Sequence, residues 1–158
     1  MRIGFASDIH KLVPNRKLVL AGVLIPFELG EEAHSDGDVV YHAAAESILG
    51  ALALGDLGKH FPDTDPQYKD MHSSLIMKHV VSLMKEQGYE VGNIDISITL
   101  QRPKLSGFIE DMRVNIARLL DTEVENVSLK AGTNEGLDAL GQGLAVKAES
   151  IVLLKEKE

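Results

Sequence analysis

The sequence predicts a single domain of mixed α and β structure, an α/β (α+β) fold. Three observations predict it. Segments with helical and strand periodicity alternate along the chain, which favours helices packed on a sheet. The 158 residues match the size of one ordinary domain. The 44% of apolar residues are enough for one core, and with only 4% aromatic residues that core must rest on Val, Ile, Leu and Ala. No internal repeat or low-complexity linker divides the chain, so 1–158 reads as one unit.

Each element has a local reason. Residues 2–10 read as a strand, with Gly4, Ala6, Asp8 and His10 on one face and Ile3, Phe5, Ser7 and Ile9 on the other. Residues 17–26 read as one strand or a short hairpin, followed by a polar loop from Glu28 to Asp36 with turn residues Gly30 and Ser35. A helix is predicted from about Gly37 to Leu54, with Val40, Ala44, Ile48, Ala51 and Leu52 as its buried stripe and Ser35 and Asp38 as a capping box. Two glycines and two prolines in 55–66 predict a loop without regular structure. A second helix is predicted from Ser73 to Gln87, with Leu75, Ile76, Val80, Leu83 and Met84 inward and Gly88 as its stop. A strand from Ile94 to Leu100, a helix from about Gly107 to Leu120 and a strand from Val127 to Ala131 follow. Gly132 to Gly143 reads as a glycine-rich loop, and Leu144 to Leu154 as the closing strand.

Composition removes several function classes. The absence of cysteine rules out disulfides and thiolate metal sites, so any ion must take nitrogen and oxygen ligands. A net charge of −8 argues against a nucleic-acid surface or an anionic-membrane surface, since both need clustered Lys and Arg. No apolar run is long enough for a membrane span, and Met1-Arg2-Ile3-Gly4 leads directly into the first strand. A cytoplasmic protein is the expectation, or an organellar one after removal of a transit peptide.

The chemistry concentrates in Asp8-Ile9-His10, Ala33-His34-Ser35-Asp36-Gly37-Asp38 and His42. Alternation aims Asp8 and His10 the same way, and helical spacing puts Asp38, His42 and Glu46 on one face. Asp8, His10 and His42 are therefore candidate ligands of one ion, with a coordination place left for substrate. Asp38 is a candidate to orient the His42 ring. The backbone N–H groups that open the helix after Ser35 are candidates for a phosphate oxygen. Each residue alone has a plainer reading, as a solvated strand end or a polar helix stripe. Asp36 reads as a turn former, and His60, His72 and His79 as surface or helix-face residues.

These segments, together with Leu54-Gly55-Asp56-Leu57-Gly58 and Phe61-Pro62-Asp63-Thr64-Asp65-Pro66, form an ordered series. The series closely resembles the 2-C-methyl-D-erythritol 2,4-cyclodiphosphate synthases of the non-mevalonate isoprenoid pathway. The likeness runs from Arg2 to about Val152. It implies a mixed sheet covered by helices on one face, in a homotrimer whose sheets face the three-fold axis and whose active sites lie between subunits. It implies zinc on Asp8, His10 and His42, and a magnesium or manganese ion at Glu135 with the substrate phosphates. His34 and Thr133 would assist the transition state. Substrate would meet Asp8, Ile9, His10, His34 and Ser35. It would also meet Asp56, Leu57 and Gly58, and the run Phe61, Pro62, Asp63, Thr64 and Asp65. Leu100, Gln101, Arg102, Pro103, Lys104, Leu105 and Ser106 match the cytidine-binding stretch. Gly132, Thr133, Asn134 and Glu135 match the diphosphate segment.

The implied reaction converts 4-diphosphocytidyl-2-C-methyl-D-erythritol 2-phosphate to the cyclic diphosphate. A 2-phosphate oxygen attacks the β-phosphorus of the same molecule and CMP leaves. Positioning can supply an effective molarity on the order of 10⁵ M or more, so no protein nucleophile is needed. The chain departs from the family pattern at Phe5-Ala6, at Gly132, and at Ala139, Gln142 and Leu144. The last three replace an aromatic, an arginine and a glutamate that line a cavity on the family's three-fold axis. They imply that no arginine holds an isoprenoid diphosphate there. Two other functions fit the same residues. One is a zinc hydrolase on a similar trimeric scaffold, with Asp38 or Glu46 as general base. The other is a non-catalytic module that binds cytidine nucleotides or isoprenoids.

Overall fold

A computed structural model describes all residues from Met1 to Glu158. The main sheet has five strands in the order β4-β1-β7-β5-β6. These are β1 (Arg2–Pro14), β4 (Leu29–Glu31), β5 (Tyr89–Thr99), β6 (Val127–Gly132) and β7 (Ala145–Glu156). The β5–β6 pair is parallel and the other pairs are antiparallel, so the sheet is mixed. β2 (Leu18–Leu20) and β3 (Val23–Ile25) form a separate hairpin. That resolves the 17–26 segment in favour of two strands, with Ala21 and Gly22 at positive φ in the turn.

The helices α1 (Val39–Ala51), α3 (Ser73–Glu86) and α4 (Ile109–Leu120) pack against one face of the sheet and against each other. Period-two patterning explains which face. On β5, Ile94, Ile96 and Ile98 are fully buried, while Asp95, Ser97 and Thr99 point to the opposite face. Each such isoleucine contributes about 2 kcal/mol by leaving water. On β7, Val146, Ala148, Ser150, Val152 and Leu154 face the core. On β1 the inward residues are Gly4 and Ala6, small enough for α1 to lie close. A Cβ at Gly4 would sit 1.9 Å from the Ser47 carbonyl oxygen.

The structure corrects several expectations. α1 is buried nearly all round rather than along one stripe, because it lies between the sheet and α3; Val39, Tyr41, Ala43, Ala45 and Leu49 join the predicted stripe. On α3, Leu75 faces solvent and Met77 takes the inward place. The predicted polar loop 28–36 contains the edge strand β4, which pairs with the end of β1. The loop 55–66 contains the four-residue helix α2 (Leu57–His60), capped by Asp56, whose side chain accepts from the Lys59 N–H. A 3₁₀ turn follows at Pro66–Tyr68. The loop after β6 contains the short helix α5 (Asp138–Gly141). No helix is long and apolar enough to cross a membrane.

The face of the sheet away from the helices carries no covering element. Ile3, Phe5 and Ile9 on β1 and Ile151 on β7 stand exposed there, Ile3 by 71% and Phe5 by 60%.

Candidate metal and substrate site

Asp8 and His10 leave β1 on its helix-covered face, two residues apart as the pleat requires, and His42 meets them from α1. The Asp8 Oδ2 atom lies 3.1 Å from His10 Nε2 and 3.4 Å from His42 Nδ1. One ligand atom from each residue falls within 4.8 Å of the other two. The two imidazoles meet edge to face with centroids 5.1 Å apart.

The remaining ring nitrogens are tied down. His10 Nδ1 donates to the Gly37 carbonyl at 2.6 Å. His42 Nε2 lies 2.9 Å from Ser73 Oγ and 3.3 Å from Ser35 Oγ. Each imidazole thus turns one nitrogen to Asp8 and the other to a fixed oxygen, the arrangement metal-bound histidines use to hold their orientation. A carboxylate and two imidazoles with no thiolate suit zinc or a similar divalent ion. Burial disfavours the Asp8 anion, but with no ion between them the adjoining His10 and His42 rings, when protonated, outweigh it and hold the carboxyl well below the usual range. For His10, burial opposes the charged form, while the Asp8 hydrogen bond and charge prevail and raise its pKa.

These residues open on a cavity of about 340 Å³ that also borders His34, Ser35, Glu46, Leu57, Phe61 and Asp63. The His34 ring is placed by a 3.3 Å contact from Nε2 to the Asp65 carbonyl. Of the predicted substrate contacts, Asp8, His10, His34, Ser35, Leu57, Phe61 and Asp63 therefore share one cavity. Ile9 points to the opposite face of the sheet. Asp56, Gly58, Pro62, Thr64 and Asp65 lie near it but outside its lining, Asp56 and Asp65 serving as helix caps.

Leu100–Ser106 and Gly132–Glu135 form a second group. The parallel pairing of β5 and β6 brings their C-terminal ends together, and the Leu100 N–H donates to the Gly132 carbonyl at 3.0 Å. Thr133 and Glu135 are exposed, and the Glu135 N–H reaches Thr133 Oγ1 at 3.3 Å. Leu100 and Leu105 are buried in the core, and Gln101 Oε1 is a buried acceptor with no partner. Asp8 pairs with Ala148 of β7, which pairs with Ile98 of β5. The two groups are therefore about two strand spacings apart, roughly 10 Å, and no residue of the second group lines the cavity at Asp8.

Asp38 does not orient His42. Its side chain is fully buried and accepts from the N–H groups of Ala21 at 2.9 Å, Gly22 at 2.7 Å and Tyr41 at 3.0 Å. It is the N-cap of α1, while Ser35 accepts from Gly37 in the turn before it, so the predicted capping box is not formed. Burial, opposed by these three hydrogen bonds, pushes the Asp38 carboxyl up to about 6. Glu31 is buried beside it and accepts from Val19 and Val39. Burial and the Asp38 charge push Glu31 up to about 9. These two side chains occupy the N–H groups of Val39 and Tyr41, so those groups are not free for phosphate. Sequence reasoning missed Glu31 and Ser73 altogether and left Asp36 as a turn former.

Known proteins resemble the chain over its whole length. The sequence profile described as the YgbB family matches residues 1–155. The chain belongs to the YgbB family. It is 52% identical over 157 residues to the 2-C-methyl-D-erythritol 2,4-cyclodiphosphate synthase of Clostridium novyi, covering 99% of this chain and all of that one. Among solved structures, the family fold recurs in the bifunctional IspDF of Campylobacter jejuni, at 40% identity and a TM-score of 0.95. There the match covers 99% of this chain and 42% of the longer polypeptide. The IspF of Plasmodium falciparum, solved as a CDP complex, is 33% identical with a TM-score of 0.88 over 99% of this chain and 97% of that one.

Proposed function

We infer that this chain is a cyclodiphosphate synthase, a phosphorus–oxygen lyase of the non-mevalonate isoprenoid pathway. It converts 4-diphosphocytidyl-2-C-methyl-D-erythritol 2-phosphate to 2-C-methyl-D-erythritol 2,4-cyclodiphosphate and CMP. One observation carries the reading: Asp8, His10 and His42 converge at a cavity in a chain that matches a synthase of this activity over its whole length. A 2-phosphate oxygen forms a bond to the β-phosphorus, the bond from that phosphorus to the bridging oxygen breaks, and CMP carries that oxygen away.

Asp8, His10 and His42 hold a zinc ion, which when bound neutralises phosphate charge and polarises the phosphoryl oxygens. The chain's part is to place two anionic groups of one substrate together and keep them dry. His34 and Ser35 border the same cavity as the ion's ligands; His34 stabilises charge on the transferring phosphate. Leu57, Phe61 and Asp63 shape the wall toward the erythritol portion. Leu100–Ser106 bind the cytidine; the unpartnered acceptor of Gln101 supports this. Thr133 assists the transition state, and Glu135 holds a magnesium or manganese ion, for which a hard carboxylate oxygen is suited.

The protein acts as a homotrimer in which the metal half-site of one subunit faces the nucleotide half-site of its neighbour. Two features support this. The nucleotide half-site contributes no residue to the cavity at Asp8 within one chain, and Ile3, Phe5, Ile9 and Ile151 form an exposed apolar stripe on the uncovered sheet face. A hydrolase reading is weaker, because of its two candidate bases Asp38 is buried with both carboxylate oxygens engaged, and Glu46, which lines the cavity, already accepts from the Leu57 N–H.

Incubation with the cytidyl diphosphate substrate, zinc and magnesium tests the assignment. Phosphorus NMR should show two coupled ring phosphates and equimolar CMP. A linear bisphosphate product would establish hydrolysis instead, and nucleotide binding without turnover would leave only a binding module.

A further inference from the structure

We propose that Asp36 and Ser73 are a positioning pair that fixes the His42 proton on Nε2, so that the Nδ1 lone pair faces the metal. The inference rests on the metal reading of Asp8, His10 and His42 and deepens it.

Proton bookkeeping carries it. The Asp36 carboxylate accepts from the Asp38 N–H at 3.1 Å, from the Ser73 N–H at 3.0 Å and from the Ser73 hydroxyl. A carboxylate only accepts, so the single hydroxyl proton of Ser73 is committed to Asp36. What Ser73 Oγ then offers His42 Nε2, 2.9 Å away, is a lone pair. Nε2 must carry the hydrogen of that contact. A neutral imidazole protonated at Nε2 has its lone pair on Nδ1, the atom 3.4 Å from Asp8 Oδ2. Ser35 Oγ, at 3.3 Å from Nε2, already accepts from the Gly37 N–H and is the more distant partner.

Ser73 is fully buried, so water does not replace its hydroxyl. The pair also joins three separate segments: Asp36 precedes α1, His42 lies on α1, and Ser73 opens α3. The Asp36 N–H donates to the Met71 carbonyl at 3.1 Å, which holds the α3 lead-in against this loop. His10 reaches the same end by another route. The Gly37 carbonyl cannot donate, so it fixes the His10 proton on Nδ1 and leaves Nε2 for the ion.

The test uses the full chain loaded with zinc and labelled with ¹⁵N at histidine. Long-range proton–nitrogen spectra should show the His42 proton on Nε2, in slow exchange with solvent, and Nδ1 as the metal-bound nitrogen. In Ser73→Ala that proton should exchange fast, and zinc affinity, measured by competition with a chromophoric chelator, should fall about 10- to 100-fold. Raised free zinc should restore turnover at an unchanged thermal midpoint, which a merely structural role would not allow. Asp36→Asn should weaken zinc in the same direction, and His72→Ala, at an exposed neighbour 4.0 Å from Asp36, should leave affinity unchanged. A His42 proton on Nδ1 in the wild-type chain overturns the proposal, as does unchanged zinc affinity in Ser73→Ala. If Ser73→Ala does not fold, the wild-type spectrum and Asp36→Asn decide. Failure of the wild-type chain to bind zinc overturns the metal reading, and the pair with it.

Discussion

Gly4→Ala is the sharpest probe of how the β1–α1 contact builds the site. Gly4 is extended, so an added methyl meets no backbone strain; the obstacle is α1. The new Cβ would stand 1.9 Å from the Ser47 carbonyl oxygen, 2.7 Å from the Ala51 nitrogen and 3.0 Å from the Ala51 Cβ. Two of these are backbone atoms of a packed helix, which cannot rotate away. Opening the first contact to a tolerable 3.0 Å or so moves the helix back by about 1 Å. Overpacking of this kind costs about 3 kcal/mol, and the restricted unfolded chain returns less than about 1 kcal/mol. The helix also carries His42, whereas Asp8 and His10 stay on β1. A metal site tolerates about 0.2 Å of error in its distances. Zinc affinity should therefore fall at least about tenfold together with stability.

Urea unfolding at fixed protein concentration and chelator competition read the two effects. Gly50→Ala is the control on the same helix. It is exposed, and the nearest atom to its new Cβ is the Phe5 carbonyl oxygen at 3.8 Å. It should stabilise the protein by up to about 1 kcal/mol through helix propensity and leave zinc binding intact. A Gly4→Ala protein as stable as wild type, or one destabilised with unchanged zinc affinity, would refute the claim that this close contact sets the ligand geometry.

Three further outcomes follow from the same structure. Glu31 titrates near 9 when folded and near its ordinary value of 4.5 when unfolded, so between those pH values the folded protein holds a proton that the unfolded chain has lost, and stability falls as pH rises. Glu31→Gln should remove that slope, gaining on wild type by up to about 1.4 kcal/mol per pH unit and about 3 kcal/mol by neutral pH; parallel urea-unfolding curves across the window would contradict it. Asp38→Ala orphans the N–H groups of Ala21, Gly22 and Tyr41 and should lower stability by about 3 kcal/mol or more, with hydrogen exchange at those amides rising first. Phe5→Glu places a charge in the exposed apolar stripe, and sedimentation should shift from trimer to monomer with loss of turnover; a trimer that survives it would remove that face from the interface.

How much the sequence disclosed depended on distance along the chain. The long strands were legible where burial alternates, over about ten residues of β7 and from Ile94 to Thr99 on β5; the first part of β5, Tyr89 to Asn93, was not read, because a bulge between Val91 and Asn93 breaks the period. β4 was not, since Leu29-Gly30-Glu31 is too short to show a period and exists through its pairing with the end of β1. α2 and α5, at four residues each, are similarly below the length at which a helical stripe can be read.

The same rule divides the site. The pleat alone placed Asp8 and His10 on one face, and the ordered motifs joined His42 to them. Helical spacing also grouped Asp38 with His42, and there it misled. Spacing gives only the angle around a helix, and the cap position turned Asp38 inward to the β2–β3 hairpin.

Strand and helix periods thus determined the mixed architecture, and the ordered motifs supplied the candidate donor set Asp8, His10 and His42. Tertiary docking alone decided that Ser73 would meet His42 across 31 residues, that Glu31 would be buried against the start of α1, and that Leu100–Ser106 and Gly132–Glu135 would gather apart from the ion's ligands. The physical reason is that backbone periodicity fixes side-chain direction within one element. Which donor an acceptor finds depends on how separate elements pack, and no local pattern encodes that.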